Sequence, residues 1–129
     1  MDDVVFDSSV LLTLLLGESG SDRVEALLRL RHAVMSTVNI VEVRTRLSDR
    51  SLTYSPHVEP VFSLLRRVEP FTEEQAFLAS DLRTSTMHRG LSLGDRACLA
   101  LAITLGAEVY TTDKAWNNLD VGCKIHLLR

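Results

Sequence analysis

The sequence contains few of the residues that mark several classes of protein. Its 129 residues include two cysteines, three prolines and six glycines, and aromatic residues account for only 5%. Cys98 and Cys123 lie far apart and outside any paired motif, so the sequence supports neither a zinc knuckle nor a disulfide framework. A reducing cytoplasm fits such a chain best.

Segments typical of export or membrane insertion are also missing. Met1-Asp2-Asp3 is acidic where a signal peptide carries positive charge, and the apolar run 10–16 is interrupted by Thr13 and followed by Gly17-Glu18. We therefore expect no membrane partner. The apolar content of 46% can fill a core, and no repeat, low-complexity tract or linker divides the chain, so we expect one domain over residues 1–129.

A basic excess is lacking as well. The formal net charge is −3, which by itself argues against a nucleic-acid partner, because proteins that bind phosphates usually carry a positive surface. The strength of this argument depends on where the negative charges lie.

Short β-branched runs alternate with helical patterns along the chain. Thr72-Glu73-Glu74-Gln75 resembles a capping box, Ser92 is a candidate N-cap, and the polar stretch 48–55 is typical of an exposed loop or hinge. The alternation predicts an α/β fold with a mostly parallel sheet of about five strands, covered on both faces. Strands are expected at 4–6, 33–36, 68–71, 108–111 and 124–128, and helices at 8–16, 21–30, 38–47, 56–67, 72–88 and 92–106.

Four carboxylates occupy positions where an acid is locally unexpected. Asp7 ends the first apolar strand, and Asp113 follows the strand at 108–111. Glu42 interrupts an apolar helical stretch, and Asp95 lies at a helix entrance. Ligands of open parallel sheets collect at the carboxyl ends of strands, so Asp7 and Asp113 are expected at one crevice, which Glu42 and Asp95 can approach.

Packing four carboxylates together is costly without a cation, because like charges raise one another's pKa until some of them protonate. A hard divalent cation removes that cost. The absence of a histidine or cysteine cluster favours Mg²⁺ or Mn²⁺ over zinc. The pattern therefore indicates a metal site that would bind phosphate through the metal.

Each acid also has an ordinary structural explanation. Asp7 can cap a helix, and Asp95 in a first turn suits the helix dipole. Glu42 can lie on a solvated face, and Asp113 can begin a turn. For any one acid, the structural explanation is at least as probable as a functional role. For all four acids together, it requires four coincidences around one crevice.

The acids also change the interpretation of the net charge. Without their four negative charges, the rest of the chain has a formal charge of +1. The cations are mostly arginine, whose planar fork suits phosphate oxygens, although an ordinary surface role is somewhat favoured for any single arginine. The candidates for phosphate contact are Arg44, Arg46, Arg89 and Arg96.

In their order and spacing, these residues resemble the PIN-domain nucleases, and specifically the VapC-type toxins of bacterial toxin–antitoxin pairs. Members of that family begin with a strand leading into Asp-Ser-Ser, here Asp7-Ser8-Ser9, and carry an apolar-flanked helix glutamate, here Val41-Glu42-Val43. They also have a Leu-Ser-x-x-Asp segment opening an alanine-rich helix, here residues 91–97, and a Thr-x-Asp, here Thr111-Thr112-Asp113. The likeness runs from end to end of the chain.

The resemblance implies a three-layer α/β/α sandwich and Mg²⁺- or Mn²⁺-dependent endonucleolytic cleavage of RNA. Asp7, Glu42, Asp95 and Asp113 would be the catalytic residues and would hold the metal. The metal would activate a water for in-line attack on phosphorus and leave 5′-phosphate and 3′-hydroxyl ends.

The same resemblance suggests auxiliary residues. Ser9 and Thr111 would help to position ligands or waters, while RNA contact by the four candidate arginines is an expectation from their chemistry alone. Asn117 falls where a further polar contributor is sometimes seen, although turn chemistry is its commoner explanation. Trp116 is expected to pack at the edge of the core rather than to stack on an RNA base.

The resemblance also implies partners. Besides the RNA substrate, these are a cognate antitoxin that covers the active-site groove and a second copy of the chain, giving a homodimer and a toxin–antitoxin hetero-oligomer. Two other classes fit less well. A receiver-like signalling domain expects an aspartate after the third strand, where this chain has Pro70-Phe71-Thr72, and an inactive PIN-like binding module would lack one or more of the four acids.

Overall fold

A sheet of five strands forms the centre of the structure, a computed structural model that describes residues 2–129. Every neighbouring pair is parallel, and the order across the sheet is β3-β2-β1-β4-β5. The predicted α/β fold with a mostly parallel sheet is thereby confirmed. The strands are β1 (Asp3–Phe6), β2 (His32–Ser36), β3 (Arg67–Glu69), β4 (Glu108–Thr111) and β5 (Ile125–Leu127).

The central strands read as nearly continuous apolar runs because both of their faces are buried. Val4 and Phe6 of β1 pack into the core on one face, while Val5 packs into the core on the other. In β2, Met35 packs into the core on the same face as Val4 and Phe6, and Val34 packs on the same face as Val5. Strands buried on both sides need apolar residues at every position, which distinguishes them from the alternating strands of a half-exposed sheet.

The helices form the two outer layers. The first layer contains α1 (Ser8–Leu15), α2 (Ser21–Leu30), α3 (Thr37–Asp49) and α4 (Val58–Phe62), and the second contains α5 (Glu73–Thr86) and α6 (Leu93–Leu105). This arrangement confirms the three-layer α/β/α sandwich. Besides packing in its own layer, α3 contacts α6 across the edge of the sheet. Within residues 2–129, no helix combines the length and the apolarity that a bilayer crossing requires.

Two local predictions are wrong. The helix expected at 56–67 is restricted to α4, and β3 starts at Arg67 rather than at residue 68. The chain leaves the helix early because it joins the sheet, where the Arg66 N–H already donates to the Ala33 carbonyl at 2.8 Å. Pairing with β2 therefore overrides a helical pattern that is only local.

The predicted capping box at the start of α5 is half formed. The Thr72 hydroxyl accepts a hydrogen bond from the Gln75 N–H at 3.2 Å. The return bond is missing, because Gln75 Oε1 is buried and has no hydrogen-bond partner in the described chain. The polar stretch 48–55 is likewise only partly a loop, since α3 continues to Asp49.

The strand order reverses between β1 and β4. β1 pairs with β2 on one side and with β4 on the other, so the carboxyl ends of β1 and β4 lie side by side. Beyond the last ladder pair, the Asp7 N–H donates to the Tyr110 carbonyl at 3.2 Å. This reversal is the position where open parallel sheets usually bind their ligands.

The packing of α3 gives a direct test of the core. Leu47 is completely buried, whereas Val41 on the same helix is 64% exposed. We expect Leu47→Ala to lower the free energy of unfolding by about 2–5 kcal/mol, because it leaves a cavity. Val41→Ala should change it by less than about 0.5 kcal/mol. Urea denaturation measures both values, and equal losses would contradict this description of the core.

Candidate functional site

Asp7 lies at the junction of β1 and α1 and is almost completely buried. As the N-cap of α1, its Oδ1 accepts hydrogen bonds from the Val10 N–H at 3.3 Å and from the Ser9 hydroxyl at 2.5 Å. Its Oδ2 accepts from the Thr111 hydroxyl of β4 at 2.7 Å. The carboxylate thus caps a helix and also bonds to the neighbouring strand.

The two hydroxyl groups link Asp7 to the segment that carries Asp113. Ser9 Oγ accepts from the Thr112 N–H at 3.0 Å, and Thr111 Oγ1 accepts from the Asp113 N–H at 3.0 Å. Each hydroxyl therefore donates to the carboxylate and accepts from the backbone beyond β4. This network fixes the backbone of Asp113 relative to the Asp7 side chain.

The environment of Asp7 disfavours its charge. The pKa of this carboxyl is raised from 3.8 to about 6, mainly by burial and to a smaller extent by the negative charge of Asp95. Hydrogen bonds from Ser9 and Thr111 act in the opposite direction and stabilise the ionised form. At neutral pH the group is mainly ionised, but its charge costs the folded protein free energy.

Asp95 lies in the first turn of α6 and is half-buried. It forms a complete capping box, because its Oδ2 accepts from the Ser92 N–H at 2.9 Å and its own N–H donates to Ser92 Oγ at 3.2 Å. Burial is the main cause that raises its pKa, and the charges of Glu42 and Asp113 raise it as well. Asp95 thus lies close enough to Asp7, Glu42 and Asp113 for their charges to interact, and these four residues form what we call the acidic crevice.

Glu42 turns from α3 towards α6 rather than into solvent. Asn39, one turn earlier on α3, donates from Nδ2 to Glu42 Oε1 at 2.9 Å and to the Gly94 carbonyl at 3.1 Å. The glutamate packs so closely on α6 that a Cβ at Gly94 would overlap its carboxylate, lying 2.6 Å from Oε1. The position of Glu42 therefore depends on the missing side chain at Gly94.

Asn39 and Gly94 are two site residues that sequence reasoning missed. Gly94 gave a usable signal, since glycine inside a helix is unfavourable and often marks a close approach of another group. Asn39 gave a weaker signal, because its spacing from Glu42 suits a pair on one helix face, whereas its contact with Gly94 joins residues 55 positions apart. Such a contact cannot be seen in a local pattern.

The acidic crevice contains no cationic partner. Within residues 2–129, no ion pair includes Asp7, Glu42, Asp95 or Asp113. Some acids elsewhere on the surface are paired, for example Asp3 with Arg67 at 2.7 Å and Glu108 with His126 at 2.6 Å. The charge in the crevice is therefore uncompensated by the protein itself.

The donor atoms of the crevice suit a hard cation. Throughout the described chain, three carboxylate oxygens of the crevice accept no hydrogen bond: Glu42 Oε2, Asp95 Oδ1 and Asp113 Oδ2. No three acidic, histidine or cysteine side chains in that part of the chain are arranged to hold one ion directly. Mg²⁺ usually retains several waters and takes only one or two carboxylates, so an ion held partly through water fits this set.

Two of the four candidate arginines make structural contacts. Arg89 donates to the carbonyls of Ala115 and Asn117, at 3.1 and 2.6 Å, and Arg96 donates to the Ala79 carbonyl at 2.8 Å. These bonds use only some of the five guanidinium donors, so contact with RNA stays a prediction for both. Arg44 and Arg46 are exposed on α3 and form no ion pair within residues 2–129.

The segment after β4 places the remaining candidates. Asp113 caps a short 3₁₀ turn, Lys114–Trp116, by accepting at Oδ1 from the Ala115 N–H at 2.9 Å. Trp116 is fully buried, as expected for a core residue, and no face of its ring is open to an RNA base. Asn117 is exposed at the end of the turn, where its carbonyl holds Arg89. Its auxiliary role remains a prediction.

The family model for the PIN domain matches residues 4–122. The chain belongs to the PIN domain family. This membership confirms the prediction made from the order of the acids. No curated protein matches the chain in a sequence comparison.

Several solved structures share the PIN fold of this chain. A toxin–antitoxin complex from Klebsiella pneumoniae has a TM-score of 0.75 at 18% identity, covering 98% of each chain. DNA-bound VapBC from Salmonella typhimurium has a TM-score of 0.76 at 16% identity over 100% of each chain. VapC20 of Mycobacterium tuberculosis, described as a sarcin-ricin loop cleaving toxin, has a TM-score of 0.69 at 18% identity, covering 86% of this chain and 90% of its own. At these identities the likeness establishes the fold.

The buried charge of Asp7 predicts an unusual pH dependence of stability in metal-free protein. Because the pKa in the folded protein is about 6 instead of 3.8, ionisation destabilises the fold as the pH rises through this interval, by up to about 3 kcal/mol. Asp7→Asn should therefore be more stable than the wild type at pH 7.5, and the advantage should disappear at pH 4.

Urea denaturation in EDTA at the two pH values measures this difference. Asp22→Asn serves as the matched control, because Asp22 is exposed on α2 and its replacement should have little effect at either pH. A stabilisation of Asp7→Asn that is equal at pH 4 and pH 7.5 would contradict a charge-based cause.

Proposed function

We propose that this PIN-domain protein is a metal-dependent endoribonuclease that acts as the toxin of a toxin–antitoxin pair. The observation that carries the proposal is the acidic crevice at the reversal of strand order, whose four carboxylates form no ion pair with any residue of 2–129. A protein that needed these residues only for stability would pair or separate the charges. Their uncompensated grouping favours a bound cation.

The residues that would hold the cation are Asp7, Glu42, Asp95 and Asp113, and the expected ion is Mg²⁺ or Mn²⁺. Glu42, Asp95 and Asp113 each offer an oxygen that no described hydrogen bond uses. When bound, such an ion lowers the pKa of water and offsets negative charge on a phosphate. Asp7 contributes a charge that Ser9 and Thr111 hold in one orientation.

The surroundings of the four acids would affect how RNA binds and how well the site is ordered before it binds. Without a cation, the negative charge of the crevice would repel a phosphodiester, so RNA binding there would depend on the cation. Arg44 and Arg46 lie exposed on the helix that carries Glu42, where they can contact phosphates beyond the cleaved bond. Ser9 and Thr111 keep Asp7 and the Asp113 backbone in a fixed relation, so that little reorganisation is needed when substrate binds.

The biological role rests on the shared fold. Structures of the same fold include VapBC and FitAB assemblies, some of them with DNA, and a toxin named for cleaving the sarcin-ricin loop. By analogy, we propose an antitoxin that covers the acidic crevice, a homodimer of the toxin, a hetero-oligomer of the two and a cytoplasmic location. The RNA that is cut depends on the surface around the crevice and is a separate question.

RNA cleavage provides the direct test. Purified protein freed of any antitoxin should cleave RNA in the presence of Mg²⁺ or Mn²⁺. The addition of EDTA should stop the cleavage. Asp7→Asn should lose activity on the order of 100-fold or more, the scale expected when a group that stabilises developing charge is removed. Asp22→Asn, which removes an exposed acid, should retain it. Full activity in EDTA or in Asp7→Asn would refute the mechanism.

Gly94→Ala tests whether the position of Glu42 matters. The added methyl group meets only the end of a flexible side chain, so it should move the Glu42 carboxylate without unfolding the protein, and alanine is the better helix former by up to about 1 kcal/mol. We expect unchanged thermal stability, but roughly tenfold or greater losses in Mn²⁺ affinity and cleavage.

Calorimetry with Mn²⁺ and thermal unfolding separate these two effects. Thr104→Ala, at the far end of the same helix, is the matched control and should leave Mn²⁺ affinity unchanged. A Gly94→Ala protein that binds Mn²⁺ like the wild type would show that the close packing of Glu42 on α6 is irrelevant to the site.

A further inference from the structure

Asn39 is a buried polar residue whose side-chain hydrogen bonds go to Glu42 of the acidic crevice and to Gly94, the neighbour of Asp95. Its side chain is 1% exposed and lies one helical turn before Glu42 on α3. Both of its hydrogen bonds come from Nδ2, one to Glu42 Oε1 at 2.9 Å and one to the Gly94 carbonyl at 3.1 Å. The amide therefore bridges α3 and α6 at the residue next to Asp95.

The orientation of this amide follows from its partners. A carboxylate and a carbonyl are both acceptors, so only the NH₂ group can bond to them. Turning the amide over would place Oδ1 against two other oxygens and lose both bonds. Both Nδ2 hydrogens are consequently used. One bonds to Glu42 and orients its carboxylate, and the other bonds to the Gly94 carbonyl and fixes the amide to α6.

Stability does not explain an asparagine at this position. Asn39 Oδ1 is buried and accepts no hydrogen bond from any described residue. A buried acceptor without a donor destabilises the folded protein, whereas an apolar side chain of similar shape avoids this cost. The compensating benefit comes from Nδ2, which bonds to Glu42 and fixes that bond to α6 through the Gly94 carbonyl.

We propose that Asn39 is a positioning residue that holds the Glu42 carboxylate beside Asp95 for cation binding, an inference that rests on the proposed nuclease function. The charge of Asp95 repels Glu42, and a glutamate side chain has several rotatable bonds through which it can turn away. The bond from Asn39 opposes that movement and leaves Glu42 Oε2 available. A neutral donor achieves this without cancelling the negative charge that the cation needs.

Asn39→Leu tests the inference, because leucine fills similar space and removes both hydrogen bonds. The thermal stability of the variant should stay close to that of the wild type, while Mn²⁺ affinity measured by calorimetry should fall about ten- to a hundredfold. A purely structural role would instead move stability and affinity together. Gln75→Leu is the matched control, since Gln75 is also buried with an unpartnered amide oxygen but lies on α5, and it should bind Mn²⁺ normally.

A double-mutant cycle with Glu42→Gln identifies the route of the effect. If Asn39 acts through Glu42, Asn39→Leu should weaken Mn²⁺ binding little further in the Glu42→Gln background. An equal loss in both backgrounds, or wild-type affinity in Asn39→Leu, would overturn the positioning role and leave the nuclease proposal intact. A wild-type protein that neither binds Mn²⁺ nor cleaves RNA would overturn both.

Discussion

Repulsion between like charges in one crevice is the constraint on which the rest of this structure depends. Asp7 is nearly buried and ionises only at the expense of folding free energy, and Asp95 experiences the charges of both Glu42 and Asp113. The fold keeps these groups together with neutral hydrogen-bond donors instead of lysine or arginine. The donors are the side chains of Ser9, Thr111 and Asn39 and the backbone N–H groups of Val10, Ser92 and Ala115. Neutral donors orient a carboxylate without cancelling its charge, which leaves a negative crevice for a cation from solution.

The ordinary explanations of the acids and their functional explanation turn out to be compatible. Asp7 caps α1, Asp95 completes the capping box of α6, and Asp113 caps the 3₁₀ turn after β4. In Asp95 and Asp113, capping uses one carboxylate oxygen and leaves the other without a hydrogen bond in the described chain. Local structure therefore fixes the direction of these side chains, and a capping role is no argument against a role in the site. Glu42 caps no helix and is held instead by Asn39, one turn earlier on α3, and by its packing on Gly94.

The fold class and the four acidic residues could be predicted from the sequence for a physical reason. Strands buried on both faces must be apolar throughout, and N-caps need short polar side chains, so β1, α1 and α6 are all visible in local patterns. The local predictions that were wrong concern segments whose structure does not follow from their own sequence pattern. The helix expected at 56–67 gives way to α4 because Arg66 and β3 pair with β2, and Gln75 does not return the bond to Thr72.

The sequence by itself determined the alternation of strands and helices, the position of Asp7 and Asp113 after their strands, and the four acids as a set. These features depend on side-chain periodicity and capping, which act over a few residues. The tertiary structure alone decided that β1 lies between β2 and β4, and that Glu42 turns inward. The direction of Glu42 depends on Asn39 and on the bare backbone at Gly94, and these residues meet only because α3 packs against α6 across the edge of the sheet.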